Sequence, residues 1–467
     1  MASIVSKKDE SYRQFALTAS PMKVILSSCA PLALFQALQS IFTILDALMA
    51  SHIGSDAVSA VACLSQISLM ITALGGGLAV GGSIKISEAY GRGDYETVQR
   101  RVATVYTMAV MVSVVVAAVL IPFAVPFLRL LKTPEDLITT GKGYFRIQIL
   151  TLVIQFFNTV FIAISRSRGH AKKILALNLV VVVVKLSLSA LFVYGMNSGV
   201  TMIAVATLLG QVLTLCYAIR SMRRDEGAFR FSLRNIRLKK DTVLPVLNIS
   251  YPISAEKLLF AAGKVIVNSM SGMYGSLTVG ALGISNNIGG LTTSWHMGFT
   301  DGGAPLISQN RGAENHRRNL KIYGCLLLID VAIGVIGLTV VSAILPWLAQ
   351  VFAQSKNNFD QTFCDMIVDI HRWEMLGYIT LGVNSATLAL LLGYGYTKLT
   401  MLLNVARVFA YRIPVLWFLQ NFTNLGAEAV GVTMMVSNVC VGITAVVVAL
   451  PVILKIHRLA KEEETAK

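Results

Sequence analysis

Long apolar runs, repeated along the whole chain, constrain the fold more than any other feature. Short polar loops separate them, and each run is close to the ~20 residues that a helix needs to cross a bilayer. Hydrophobic residues make up 55% of the 467 positions and charged residues only 14%, against roughly 25% charged in soluble domains. Backbone groups in lipid must hydrogen-bond within their own segment, so the runs are predicted to be helices. We therefore expect an all-α integral membrane protein.

Twelve membrane spans can be drawn, and the chain begins with a polar segment that does not look like a cleavable signal. The predicted spans are 22–51, 57–84, 98–127, 137–164, 174–196, 200–220, 243–272, 277–307, 319–350, 366–392, 399–420 and 427–455.

The basic residues are distributed unevenly between the loops. Of the 40 Lys and Arg residues, 29 fall in loops on one side of the predicted membrane and 3 in loops on the other. This asymmetry predicts a multi-pass protein of the cell inner (plasma) membrane with both termini in the cytoplasm. The net charge is +16, but basic loops are topology signals that also favour anionic lipid head groups. We therefore expect the lipid bilayer as a partner, and no nucleic acid.

An internal repeat divides the chain. Residues 30–94 align without a gap with residues 251–315, at an offset of 221, with 15 identities in 65 positions. Pro31 aligns with Pro252 in this register. Six spans separate the two copies, and six is an even number, so both halves enter the membrane in the same orientation. Such halves are expected to be related by a pseudo-two-fold axis along the membrane normal.

The repeat predicts three regions. These are an N-terminal six-helix lobe (1–220), a basic cytoplasmic linker (221–242) and a C-terminal six-helix lobe (243–467). Paired lobes around a central cavity are the architecture of alternating access, in which a carrier opens to one side of the membrane at a time.

The chain resembles the multidrug and toxic compound extrusion (MATE) transporters, whose superfamily also includes lipid-linked oligosaccharide flippases. The resemblance rests on Pro31, on Asp46 fifteen residues later, on the turn at Gly54, and on the stretches ISEAYGRGD (86–94) and ISQNRGAEN (307–315). It covers nearly the whole chain. It implies the efflux of small organic molecules, driven by inward H⁺ or Na⁺, through a rocking of two lobes.

Asp46 is the predicted ion-coupling residue of the first span. It lies about 22 Å along the helix from Pro31, and a carboxylate at that depth costs about 2.5–3.5 kcal/mol unless it is paired, protonated or in water. The resemblance implies ion coupling here, and the alternative is a structural partner for a nearby base. Pro31 removes a backbone hydrogen bond, which leaves two interpretations: a bend that changes with protonation of Asp46, or a static kink. Pro252 is its counterpart in the second half.

The fifth span departs from the family pattern. Many family members resemble N-x-x-x-D in this span, whereas this chain has Lys185 and Ser189 at the two positions. Lys185 lies too deep to reach the membrane surface easily, so it needs a counter-charge, and the family fold offers Asp46. Lys185 is therefore either a group that loses a proton during transport or one member of a structural pair.

The second lobe contains the remaining candidates. Glu256 is assigned to ion coupling, and the predicted substrate cavity is lined by Asp301, Lys264, Asn384 and Arg407. Buried ions are usually paired, so structural ion pairs are the alternative for this set. His296 is interpreted as packing or cavity lining. His371 and Glu374 could share a helix face but do not make a zinc site.

These observations together predict a transport function. We predict a secondary antiporter without a cofactor, a monomer with a small-molecule substrate. The alternative is a flippase for a lipid or lipid-linked sugar. Basic residues within the spans outnumber the acids of the span cores, which favours an anionic or zwitterionic substrate. A nucleotide loop and a nucleophile with a base at helical spacing are both missing from the sequence, so an enzyme or an ATP-driven pump is not expected.

Overall fold

The structure is a computed structural model of the whole chain. It describes residues 6–53, 55–123, 126, 135–196, 198–199, 201–224, 227–232, 235–236, 238–353 and 360–465, without the side chains of residues 8, 43, 44, 46–70 and 135–142.

The described residues form helices and short turns, and no strand occurs among them. In chain order the α-helices are α1 (Lys7–Thr18), α2 (Pro21–Ser28), α3 (Ala30–Ile53), α4 (Ser55–Arg92), α5 (Tyr95–Leu120), α6 (Glu135–Ser167), α7 (Ala171–Ala190), α8 (Thr201–Arg224), α9 (Lys240–Ser271), α10 (Ser276–Gly312), α11 (His316–Ala353), α12 (Gln361–Glu374), α13 (Tyr378–Gly393), α14 (Thr397–Ala406), α15 (Ile413–Phe422) and α16 (Glu428–Thr465).

Each of the twelve predicted spans coincides with one of these helices or with two that follow each other closely. In the described part of the chain, nine segments are long and apolar enough to cross a membrane. Neither α9 nor α10 is among the nine, because polar and charged residues lower their hydropathy.

Two helices continue as π-helical segments, in which the backbone hydrogen bond spans one residue more than in an α-helix. They are Leu191–Gly195 after α7 and Arg407–Arg412 after α14. Such segments are rare and frequently occur at functional sites. The first lies at the C-terminal end of the predicted fifth span, and the second lies in the middle of the predicted eleventh span.

The chain divides into two compact units. The first unit contains residues 1–19 and 41–258, and the second contains residues 20–40 and 259–467. The beginning of α3 thus belongs to the second unit, and the beginning of α9 belongs to the first. The lobe boundaries at residues 220 and 243 stay a prediction.

Glycines explain why the helix beginnings group in this way. A Cβ at Gly77 or Gly81 of α4 would overlap Ser254 or Ser250 of α9, all within the first unit. A close approach of this kind needs a residue without a side chain, as is common between membrane helices. The glycine run at 75–82 therefore lets α4 pack closely at Gly77 and Gly81.

The second unit repeats the same contacts at the offset of the sequence repeat. A Cβ at Gly298 of α10 would overlap the backbone of Ala33, and one at Gly302 would lie 3.0 Å from the Cα of Cys29. Adding 221 to Gly77 and Gly81 gives Gly298 and Gly302, and subtracting 221 from the numbers of their serine partners gives Ala33 and Cys29. The repeat therefore preserves helix–helix contacts as well as residue identities.

Polar residues fix the ends of the helices of the first unit. Asp94 caps α5, and its Oδ1 accepts a hydrogen bond from the backbone N–H of Thr97 at 3.1 Å. Burial acts to raise the pKa of Asp94, but the hydrogen bonds from Thr97 and the charges of Arg101 and Arg92 outweigh it, so the pKa lies below its usual value. The cap is therefore ionised at neutral pH, and its negative charge is favourable at the N-terminus of a helix.

The N-terminal helix α1 is held against the first unit by a buried ion pair. Arg168 Nη2 lies 3.2 Å from Asp9 Oδ2, and both side chains are almost fully buried. The Tyr90 hydroxyl donates to the backbone carbonyl of Asp9, and Arg13 donates to the carbonyls of Tyr90 and Gly91. These contacts join α1 to the ends of α4 and α6.

Candidate functional site

The predicted ion-coupling residues of the first lobe lie on α3 and α7. The side chain of Asp46 is outside the described part of the structure, so its pairing with Lys185 stays a prediction. Lys185 is half-buried, and its Cβ lies 3.7 Å from the position of a Cβ at Gly210 in α8. Ser189, one turn further along α7, is completely buried, and its hydroxyl has no hydrogen-bond partner among the described residues.

The structure separates two predicted residues of α9. Glu256 is half-buried in the part of the helix that belongs to the first unit, and Lys264 lies in the part that belongs to the second. Pro252 is buried within α9, which continues through it, and Pro31 occupies the first turn of α3, where a proline is tolerated. The conformational roles of the two prolines stay predictions.

Two of the predicted cavity residues lie on α10 and α13. Asp301 is half-buried and accepts a hydrogen bond from Gln36 Nε2 at 3.1 Å, which ties α10 to α3 within the second unit. Asn384 is buried, and its Oδ1 has no hydrogen-bond partner in the described part of the chain. Both positions are compatible with the predicted cavity, and neither tests it.

A chain of hydrogen bonds crosses the second unit from α10 to α13. The Ser285 hydroxyl donates to Glu374 Oε2 at 2.5 Å and lies 2.8 Å from His371 Nδ1, while the Tyr378 hydroxyl lies 2.9 Å from His371 Nε2. In one arrangement that satisfies every contact, Tyr378 donates to Nε2, Nδ1–H donates to Ser285, and Ser285 donates to the carboxylate. Glu374 is the acceptor at the end of this chain of hydrogen bonds.

A second buried pair joins α10 to α11. His296 Nδ1 lies 2.8 Å from Asp330 Oδ1, and both side chains are buried. The other ring nitrogen of His296 and the other carboxylate oxygen of Asp330 have no hydrogen-bond partner among the described residues. A carboxylate without a partner at this depth would be costly, so the imidazole makes its burial tolerable.

Three cations surround one aromatic ring in the second unit. The Phe260 ring of α9 has Lys264 Nζ 5.7 Å from its centroid, Arg407 Cζ at 5.6 Å and Arg412 Cζ at 5.9 Å. These four residues are called the basic cluster below. The π-helical segment supplies both arginines, and Gly263 of α9 packs against Val408 between them. The structure thus brings together Lys264 and Arg407, two of the predicted cavity residues.

Neutral groups of α16 hold the two arginines. Asn438 Oδ1 accepts from Arg407 Nη2 at 2.7 Å and from Arg412 Nη2 at 3.3 Å, and Ser437 Oγ accepts from Arg412 Nε at 2.9 Å. An amide and a hydroxyl orient the guanidinium groups without cancelling their charge. Arg407 Nε is buried without a hydrogen-bond partner in the described part of the chain.

The positive charge of the basic cluster is only partly balanced nearby. In the described residues no carboxylate forms an ion pair with Lys264, Arg407 or Arg412. The acid that acts electrostatically on all three is Glu374, which is already bonded to Ser285. The two guanidinium groups lie at most about 12 Å apart, so they repel each other by at least ~1 kcal/mol at an effective dielectric constant of 20.

Sequence reasoning missed most of the residues that complete these networks. The spacing of His371 and Glu374 was noticed, but it was tested only against a zinc site. Ser285, Tyr378 and Asn438 carried no signal of their own, since isolated hydroxyls and amides are common in membrane helices. The charged residues within the predicted spans were the only indication, because a buried ion requires polar partners to orient it.

A family model named MatE matches the chain twice, over residues 31–191 and 252–418. Together the two matches cover well over half of the sequence, and they begin at Pro31 and at its repeat partner Pro252. The chain belongs to the MatE family. The family match and the apolar helices make it a multi-pass membrane protein, and the predicted MATE resemblance is confirmed.

Relatives of this MatE protein carry transporter names. It is 23% identical over 413 residues to the probable multidrug resistance protein YoeA of Bacillus subtilis, covering 86% of this chain and 87% of that protein. It is 23% identical over 308 residues to the multidrug export protein MepA of Staphylococcus saprophyticus, covering 65% and 67%.

A solved structure has the same fold. The crystal structure of a MATE protein in complex with MaL6 superposes with a TM-score of 0.91 at 19% identity, over 97% of this chain and 100% of that one. With the helices described above, this confirms the predicted all-α fold of the twelve-helix MATE type.

Proposed function

We propose that this protein exports small organic compounds, drugs among them, as a secondary active antiporter. The observation that carries the proposal is the double match of the MatE family model, which falls on the two copies of the internal repeat. The names of relatives from Bacillus and Staphylococcus support efflux of drugs. The family also supports a transporter rather than an enzyme.

We propose an inward H⁺ or Na⁺ gradient as the driving force, coupled to export by alternating access. Asp46 and Lys185 are the proposed coupling pair, with Ser189 one turn along the same helix. The buried Ser189 hydroxyl supports this assignment, because a hydroxyl oxygen that has no partner among the described residues can accept a hydrogen bond or ligate a cation. Glu256 is proposed as a further coupling group. The protein works as a monomer in the inner membrane.

Transport in proteoliposomes tests the proposal. The full chain is reconstituted, and an imposed pH or Na⁺ gradient is expected to drive two probes of opposite charge, ethidium and naphthalene-1-sulfonate, against their concentration gradients. Asp46→Asn and Lys185→Ala are expected to abolish the dependence on the gradient. Asp241→Asn, at the start of α9, changes a charge outside the proposed site and is the matched control.

Either failure is informative. If no imposed gradient drives either probe across the membrane of proteoliposomes that contain folded protein, the proposal that the protein is an antiporter of small organic ions is wrong. If both variants still couple transport to a gradient, the Asp46–Lys185 pair has a structural role, and the coupling groups are to be sought at Glu256 and Asp301.

A further inference from the structure

We propose that the basic cluster around Phe260 binds the anionic group of the transported compound, so that the substrates include organic anions with an aromatic or apolar part. That the bound compound is transported rests on the proposed function. That the site binds an anion rests on the geometry alone. A carboxylate, sulfonate or phosphate group has the required chemistry.

Charge is the first argument. Lys264, Arg407 and Arg412 place three cations around one ring, and no carboxylate pairs with any of them in the described part of the chain. Cations in the membrane interior are costly and are normally paired. The quadrupole of a single ring attracts each cation but does not neutralise three. Glu374 acts electrostatically on all three but forms no ion pair with them and is a single acid. An anion from outside the chain supplies the remaining counter-charge.

Hydrogen-bond geometry is the second argument. A guanidinium group has five donors in a planar fork that matches a carboxylate or phosphate. Asn438 takes one donor from each of Arg407 and Arg412, and Ser437 takes another from Arg412. The terminal nitrogens of both guanidinium groups keep donors that Asn438 and Ser437 do not take. The arginines are therefore oriented by neutral groups while donors remain for an oxyanion.

Access is the third argument. The residue Lys264 retains accessible surface although α9 lies within a predicted span, while its Nζ lies beside the Phe260 ring, and Phe260 and Arg407 are half-buried. A cation facing lipid tails would be unstable, so the proposal places this accessible surface at an aqueous cavity. A ligand reaching Lys264 from that cavity meets the Phe260 ring beside it. The ring then favours a ligand that carries an aromatic or apolar group next to its charge.

Binding to the purified full chain in a neutral detergent tests the proposal. The probes are naphthalene-1-sulfonate and 1-naphthylmethylammonium, two compounds of similar size and opposite charge, measured by equilibrium dialysis against protein-free micelles. We expect the sulfonate to bind at least tenfold more tightly than the ammonium. We expect Arg407→Gln to weaken sulfonate binding at least tenfold, and Arg407→Lys, which keeps the charge but loses the fork, to weaken it less.

Two further variants separate binding from folding. Arg372→Gln removes an exposed arginine whose partners are Glu428 and Asp369, and it is expected to leave sulfonate binding unchanged. Phe260→Leu keeps every charge, and it is expected to lower the affinity for the aromatic sulfonate while the preference for the anion remains. The proposal is overturned if the ammonium binds as tightly as the sulfonate, or if folded Arg407→Gln and Arg407→Lys proteins both bind the sulfonate as the parent does.

The source of the anion is decided by adding phosphatidylglycerol to the micelles and by repeating the measurement in proteoliposomes. Transport of naphthalene-1-sulfonate without competition from the lipid supports a soluble substrate. Displacement of the sulfonate by phosphatidylglycerol, with movement of that lipid between leaflets, supports a lipid head group at the same site. Sulfonate binding without gradient-driven export contradicts the proposed function but not the site, and export of ethidium without sulfonate binding contradicts the site but not the function.

Discussion

At the scale of single residues, polar side chains in the second unit satisfy one another in linked sets. The buried imidazole of His371 has a partner on each nitrogen, Tyr378 on Nε2 and Ser285 on Nδ1. Because Ser285 donates a hydrogen bond to Glu374, its oxygen can accept one from His371 Nδ1, so this hydroxyl links the carboxylate to the imidazole. Such a network is stable only when every member keeps its partner.

Removal of the Tyr378 hydroxyl tests this dependence. Tyr378→Phe keeps the ring but leaves His371 Nε2 buried without a donor, so we expect the free energy of unfolding to fall by about 1–3 kcal/mol. Tyr274→Phe is the matched control, since the Tyr274 hydroxyl makes no hydrogen bond among the described residues, and its effect is expected to stay within about 0.5 kcal/mol. Unfolding in detergent micelles measures both, and equal values for the two variants would contradict the network.

At the scale of helices, glycine positions decide how closely two helices approach. Gly77 and Gly298 are repeat partners, and each faces the backbone of the helix that packs on it. Gly290 lies on α10 as well, and a Cβ there would meet no atom within 4 Å. The same helix therefore offers a crowded glycine and an open one.

Alanine substitutions at the crowded and the open glycines are expected to change stability in opposite directions. Gly298→Ala forces a methyl group into Ala33 and should lower stability by about 1–3 kcal/mol, and Gly77→Ala should do the same in the first unit. Gly290→Ala meets no obstacle and should raise stability by up to ~1 kcal/mol, since alanine favours the helix. Thermal unfolding midpoints in micelles compare the three, and a stabilising Gly298→Ala would show that the contact is absent.

At the scale of the whole molecule, the repeat and the charged loops together predict the topology. The basic loops predict that both termini lie in the cytoplasm, and an even number of predicted spans would keep them on one side. Reporter fusions test this arrangement. We expect a fluorescent protein fused after Thr465 to fluoresce and alkaline phosphatase fused after Asp360, between the ninth and tenth predicted spans, to be active. Phosphatase activity at Thr465 and none at Asp360 would reverse the topology.

Much of the architecture could be predicted from the sequence, because it depends on local or periodic signals. Hydropathy over about twenty residues locates the spans without knowledge of their neighbours. The repeat, with Gly77, Gly81, Gly298 and Gly302 in equivalent positions, predicts helix contacts because small residues at fixed spacing allow close approach. The match to the family at residues 31–191 and 252–418 follows the same repeat.

The tertiary structure alone decided which polar side chains meet. Phe260 and Arg407 are 147 positions apart in the sequence, and the spacing of residues along one helix does not determine which face of another it will contact. The contact depends on the rotation of α9 against the π-helical segment, where Gly263 allows Val408 to approach. The same holds for the grouping of residues 20–40 with the second unit. The sequence by itself determined the helices and their repetition, because these are properties of short segments, whereas the basic cluster and the His371 network arise only when distant segments pack.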